Sequence, residues 1–319
     1  MKWVKHCLIW AVLGYLLAFY SEFLFYGQRS DPTLPKPPLT DLISLWIAYT
    51  AMAYLLLSII RYFRVQSLPA LFIAGAAYGW MLEGMVVATL YQSLPLTISF
   101  TALAWHAPID VVLGLFWMPR LLQKSSPWKT AGTVLGMGIV WGFWMLWPWA
   151  EIQRGIDPGA FLGFGLLATA ALLSAYWLLG SQQLAQFQPR RTPLLLLSGL
   201  LVVFYLVNGL ANYGAAALVL PILLLLCWWG LAHSRRQEPP GDLLPSLSGK
   251  PRPLNLALLM LLPLSAYTTY RFFLETGWIL PSNVLLGLTA SVGGAALFLV
   301  SLGKLLRGPS TSPSTKRTA

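Results

Sequence analysis

Apolar runs of about 20 residues recur along the chain, separated by short segments rich in proline, glycine and charge. A helix of that length crosses a hydrocarbon core about 30 Å thick. Runs at 4–26, 41–63, 68–91, 97–119, 128–149, 159–181, 192–213, 215–233, 254–277 and 280–303 predict ten such helices. The fold class is therefore an all-α polytopic integral membrane protein. The junction "NGLANYGAAALVLP" leaves open whether 191–233 is two spans or one broken helix. The polar breaks divide the chain into helices one to eight (1–234), a Pro/Gly-rich cytoplasmic linker (235–253), helices nine and ten (254–306) and a disordered tail (307–319). None of the polar segments is long enough for a soluble domain, which places the chemistry in or at the bilayer.

Composition agrees with the pattern. Hydrophobic residues make up 57% of the 319 and charged residues 10%, against about 25% charged in soluble domains. The net charge of +11 suggests a polyanion until its distribution is seen. Of 21 Lys and Arg, 17 fall at the termini or on alternate connections, leaving Arg29, Lys36, Arg154 and Arg271 for the other side. By the positive-inside bias both termini are cytoplasmic, and no nucleic-acid partner is expected. The charged, apolar start "MKWVKHCLIWAVLGYLLAFY" lacks a small-residue cleavage site and reads as an uncleaved signal anchor in a bacterial plasma membrane. Cys7 and Cys227 lie in cytoplasmic halves of their spans, where neither a disulfide nor a metal motif is expected. The aromatic run "WGFWMLWPWA" (141–150) predicts an interfacial belt. "GLTASVGGAALFLVSLG" (287–303) in helix ten is a small-residue stripe of the kind that admits a membrane-protein partner.

A charge near the bilayer centre costs at least about 2.5–3.5 kcal/mol, so each one demands a reason. The candidates are Glu83 in helix three and His106 and Asp110 in helix four. Glu22, Arg271 and Glu275 stand near the outer ends of helices one and nine, and Asn208 and Asn212 in the outer half of helix seven. Helices three and four form a hairpin whose turn, "YQSLPLT", centres between Leu94 and Pro95. Glu83 precedes that centre by as many residues as His106 follows it, so the two share one depth. Asp110 shares the face of His106, and Pro108 between them removes a backbone donor and loosens the helix. Such a cluster activates water, relays protons or fixes helix register as a buried ionic pair. His106 is the only mid-membrane histidine, too few for a catalytic zinc, and no metal or other cofactor is expected.

The stretch "LEGMVVATLYQSLP…ISFTALAWHAPID" resembles the central hairpin of the CPBP intramembrane proteases, the CAAX-protease and bacteriocin-processing family. That family reads Glu-Glu-x-x-x-Arg-Gly, then an apolar stretch closing in "WHLP". Gly84 and "AWHAP" (104–108) take up the motif, over about residues 78–112. Glu83 stands at the arginine position, Tyr78 and Gly79 at the paired glutamates, Ala102 at an aromatic, and the second histidine has no counterpart. The resemblance implies a Glu- and His-activated water cutting a bond within the bilayer, with His106 carried over by motif and Glu83 as a displaced substitute.

The expected function is a membrane-embedded, hydrolase-like enzyme acting on a lipid-soluble or membrane-anchored substrate. Glu83, His106 and Asp110 form its catalytic group; Glu22, Asn208, Asn212, Arg271 and Glu275 are candidates for substrate binding. The alternatives are a transporter or channel using the cluster as a relay, and a non-catalytic subunit or scaffold.

Overall fold

The computed structural model describes residues 2–24, 39–152, 155–182, 184–238 and 240–307, without the side chains of 2–7, 39 and 150–152. Residues 25–38 and 308–319, Arg154 and the Cys7 side chain lie outside that description, and so do Arg29 and Lys36. Every regular element among the described residues is helical. In chain order the long ones are α1 (Lys2–Ala18, continued by Phe19–Phe23), α2 (Leu39–Phe63), α3 (Leu68–Met81, continued by Leu82–Val86) and α4 (Ala102–Trp117, continued by Met118–Lys124). Next come α5 (Pro127–Trp144), α6 (Pro158–Gly180), α7 (Arg191–Phe204, continued by Tyr205–Leu210), α8 (Val219–Gln237), α9 (Leu261–Thr276) and α10 (Ser282–Arg307). Among the described residues, eight helical segments are long and apolar enough to cross a membrane, with Arg191–Gln237 taken as one.

That last segment is folded back on itself. Gly214 adopts φ +53° and ψ −126°, a conformation open in practice to glycine alone. The Tyr205 hydroxyl donates to the carbonyl of Ala217 at 3.3 Å. In one continuous helix the twelve steps from one to the other would rise about 18 Å. The chain therefore reverses at Gly214, and α7 and α8 form a hairpin.

Local chemistry sets the helix starts. The hydroxyls of Ser67 and Ser126 accept from the backbone N–H of Ala70 and Lys129 to cap α3 and α5, and Asp157 caps α6 by accepting from Ala160 at 2.6 Å. A proline follows near the start in each case, where its missing N–H costs nothing.

Helices α3 and α4 form the centre of the bundle. They pack closely on each other, with α8 and α10 against α3, α10 and α1 against α4, and α2 and α6 against α1. The close approach of α3 and α4 depends on Gly75 and Gly79. A Cβ on Gly79 would lie 2.9 Å from the Cα of Ala102 and from the Cβ of His106. On α10, a Cβ on Gly294 would meet the Leu103 carbonyl, and the Ser99 hydroxyl bonds the Ser291 carbonyl. One face of the small-residue stripe is thus used inside the chain, while Leu288, Val292 and Leu299 on the other remain exposed.

The tryptophan run 141–150 departs from the expected belt. Trp141 and Trp144 are buried, their rings 5.1 Å from Phe161 and 5.5 Å from Trp105. Buried aromatic pairs of this kind add about 0.5–1.5 kcal/mol beyond the area they bury.

The segment 235–253, expected to be a linker, is docked across one end of the bundle. Leu243 N–H donates to Val65, Gly249 to Gly180 and Arg252 to Leu122. Arg61 donates to Asp242 at 2.7 Å and to the carbonyls of Phe187 and Ala185. The Leu244 and Leu247 side chains are buried beneath the strap. These bonds gather the connections after α2, α4, α6 and α8 at one end of the molecule. Those are the connections that carry most of the basic residues.

Candidate functional site

Near its end α3 changes winding. Residues Leu82–Val86 form a π turn, ended by Ala88 in the left-handed region (φ +60°). In α4 the π winding runs from Ala102 to Trp117, with Pro108 inside it. The proline cannot donate, so the wider winding accommodates a ladder already broken at that point. Phe19–Phe23 of α1 and Tyr205–Leu210 of α7 are wound the same way. These four segments carry Glu22, Glu83, His106, Asp110 and Asn208. Interruptions of this type recur at functional sites, because they re-aim side chains without ending the helix.

Four-residue spacings on two antiparallel helices assemble the centre. Gly75, Gly79 and Glu83 lie along the contact edge of α3, and Ala102, His106 and Asp110 along that of α4. The glycines remove the side chains that would separate the axes, so Glu83 reaches the imidazole. Glu83 Oε1 lies 2.7 Å from His106 Nε2, and Asp110 Oδ2 lies 2.8 Å from His106 Nδ1. Both ring nitrogens are thus held by carboxylates. The Thr89 hydroxyl donates to Glu83 Oε2, and the Tyr78 hydroxyl approaches Asp110 Oδ2 at 3.5 Å. The Tyr78 ring stands perpendicular to the imidazole, with centroids 5.9 Å apart.

A second group adjoins Nδ1. Ser21 Oγ lies 3.2 Å from that nitrogen, Tyr49 OH 2.5 Å from Ser21 Oγ, and Tyr49 OH 2.9 Å from Glu22 Oε1. Glu22 therefore belongs to the cluster, reached through Tyr49. Asn208 donates to the carbonyls of Met85 and Val86 at 3.2 Å each, so it satisfies the backbone where the π turn of α3 ends. Asn212 is exposed and bonds carbonyls of its own helix. Arg271 and Glu275 pair with each other at 2.5 Å, and Arg271 also donates to Tyr267 on the same helix. Their side chains are more than half exposed. The structure therefore brings Glu22 and Asn208 to the centre, but not Asn212, Arg271 or Glu275.

Proton counting limits what the centre can do. Each of the two N···O contacts at His106 holds at most one proton between its atoms. Among the described residues, His106 is the only ionic partner of Glu83 and of Asp110. The centre therefore holds at most two protons for two carboxylates and one imidazole, each on nitrogen or on oxygen. Exposure falls inward, with 13% of the Glu83 side chain accessible, 5% of His106 and none of Asp110. Glu83 is the member that faces outward, and Asp110 the buried anchor. The donors point at each other rather than at a common point, and no metal-holding group of three or more His, Cys, Asp or Glu occurs among the described residues.

No family model, curated protein or solved structure matches this chain. The geometry alone carries the functional argument.

Ser21, Tyr49, Tyr78 and Thr89 are site residues that hydropathy and charge did not single out. Hydroxyls are cheap enough in an apolar helix to pass without notice. The Gly75–Gly79–Glu83 spacing was the available signal, since a small-residue ridge leading to a carboxylate marks the edge on which that carboxylate meets a neighbour.

Proposed function

We propose that this protein is a membrane-embedded enzyme that uses Glu83 and His106 to activate water against a lipid-soluble or membrane-anchored substrate. The observation that carries the reading is the Glu83–His106–Asp110 line, one imidazole held at both nitrogens by carboxylates within the bundle. The general logic is that of a catalytic triad, in which a buried carboxylate orients a histidine and the histidine moves a proton for an outer group. Asp110 fixes the ring, His106 stores and returns the proton, and Glu83 meets water at its accessible edge. The Thr89 hydroxyl holds the Glu83 carboxyl in one orientation. This chemistry is of the kind implied by the resemblance to the CPBP proteases, with Glu83 serving in place of the family's paired glutamates.

The topology we infer has ten crossings. The reversal at Gly214 divides the segment 191–237 in two, and Lys2–Phe23 is a continuous helix of about 33 Å at 1.5 Å per residue. Both termini lie on the cytoplasmic side of a bacterial plasma membrane, where the basic connections collect.

The test compares lipid and membrane-protein profiles, by mass spectrometry, of cells carrying wild type, Glu83→Gln or His106→Ala at equal membrane abundance. The expected result is a product made by wild type and absent from both variants, with its precursor accumulating. Identical profiles in all three would sink the enzyme reading. Loss of solute uptake without any chemical change would point to the transporter instead.

A further inference from the structure

The hydrogen-bonded chain on the Nδ1 side of His106 has no part in holding the ring, because Asp110 already does that. It runs Glu22 Oε1, Tyr49 OH, Ser21 Oγ, His106 Nδ1, with separations of 2.9, 2.5 and 3.2 Å. Tyr49 and Ser21 are buried, while Glu22 is half-buried, close to the end of α1. Every member between Glu22 and the ring is a hydroxyl, able to accept one proton and donate another. A structural bond to His106 would need only Ser21. A second hydroxyl set between Ser21 and a carboxylate adds length and polarity at a depth where polarity is costly.

We propose that Tyr49 and Ser21 form a proton relay connecting Glu22 to His106, which makes Glu22 the proton exchange port of the Glu83 site. The inference rests on the Glu83–His106 reading above. When Glu83 takes a proton from water, its O–H gives that proton to Nε2. The Nδ1–H passes to Ser21 Oγ, the Ser21 hydrogen to Tyr49 O, and the Tyr49 hydrogen to the Glu22 carboxylate. Each O–H or N–H bond broken is re-formed one position along. One proton has left Glu83 and one has arrived at Glu22, with no net change on the ring. The imidazole ends as the Nε2–H tautomer, and a proton travelling in the opposite direction restores it. Asp110, beside Nδ1 at 2.8 Å, favours the protonated nitrogen and so draws the returning proton back. The titratable groups facing the ring are Glu83 from α3, Asp110 from α4, Tyr78 from α3, and Tyr49 and Glu22 through Ser21. Tyr49, Ser21 and Glu22 are positioning residues in this scheme. They act through His106 and touch no substrate.

The experiment is nitrogen NMR of the imidazole in the full chain, in detergent micelles, reading solvent exchange of the His106 ring N–H. Tyr49→Phe and Ser21→Ala are each expected to slow exchange at Nδ1 at least tenfold, while the Nε2 chemical shift stays at its wild-type value. Wild-type exchange rates in both variants would overturn the relay and leave the Glu83–His106 pair standing. An Nε2 shift that does not move in Glu83→Gln would instead overturn the pair itself. The ring signals of His233, which bonds Gln237 at 2.7 Å, report whether a variant is folded. If Tyr49→Phe disturbs them, Glu22→Gln reads the same path from its outer end, and unchanged exchange there refutes the relay.

Discussion

Replacing Gly79 by alanine tests whether the candidate site depends on helix spacing. The added Cβ would lie 2.9 Å from Ala102 Cα, 2.9 Å from His106 Cβ and 3.1 Å from Ala102 Cβ. Carbon atoms rest at about 3.5–4.0 Å. The two helices must therefore separate by about 0.6–1 Å, because a Cα cannot swing aside as a side-chain tip can. Glu83 stands one turn beyond Gly79 on the same edge, so a similar displacement reaches its contact with His106. That contact is 2.7 Å now and would stretch to about 3.3–3.7 Å, past the range of a useful hydrogen bond. Overpacking of this sort costs about 1–3 kcal/mol, offset by the roughly 1 kcal/mol by which alanine exceeds glycine in a helix. Gly132 on α5 supplies the control, since a Cβ there meets nothing within 4 Å. Gly132→Ala should be neutral or mildly stabilising, and Gly79→Ala should be less stable than that control by about 1–3 kcal/mol. Unfolding in mixed micelles measures the difference, and the His106 Nε2 chemical shift reports the lost contact. If Gly79→Ala unfolds with Gly132→Ala and keeps the wild-type Nε2 shift, close packing at Gly79 does not build the site.

Two further outcomes follow from the ends of the bundle. Arg61→Ala removes the ionic partner of Asp242, a side chain only 2% exposed, and is expected to cost about 3–5 kcal/mol; limited proteolysis should then cut first within 238–249. An uncut strap would show that Arg61 does not hold it. Gly214→Ala forces a non-glycine residue to φ +53° and should cost about 1–3 kcal/mol in the same unfolding assay, whereas no loss would place the α7–α8 reversal elsewhere.

Different parts of the molecule were legible in the sequence to different degrees, for physical reasons. Hydropathy located the helices because lipid imposes one rule on every residue that faces it. It could not decide the α7–α8 junction, where one glycine's torsion angles determine whether two apolar runs continue or reverse. Equal depth across the hairpin predicted the Glu83–His106 contact, because two rigid helices joined by a turn leave little freedom. The direction of each side chain around its helix was the missing quantity. Glu22 and Arg271 looked equivalent as outer-end charges, yet Glu22 faces Tyr49 and Arg271 faces outward to pair with Glu275. A single charged residue carries no periodicity, so only its packed neighbours reveal its face. The strap was hidden for a related reason. Pro- and Gly-rich composition reads as a linker, while its docking depends on the paired groups Arg61, Val65, Leu122 and Gly180, which are far away in sequence.

Side-chain direction also explains why the polar centre lies where the winding changes. A straight α-helix repeats its contact edge every three or four residues, which suits the Gly75–Gly79 ridge. Continued without change, that edge would keep α3 and α4 at one spacing and leave no room between them for three side chains. The π turn at Leu82–Val86 widens α3 where its glycines end, and the winding from Ala102 to Trp117 widens α4 along the whole face that those glycines meet. Pro108 makes that widening inexpensive on α4, because its ladder bond is already missing. Asn208 does so on α3, by donating to the carbonyls of Met85 and Val86. The glycines bring the helices close enough for Glu83 to reach His106, and the π turns then open the space in which the carboxylates flank the ring. Close packing and local loosening are therefore two halves of one device, and the polar cluster stands at their junction.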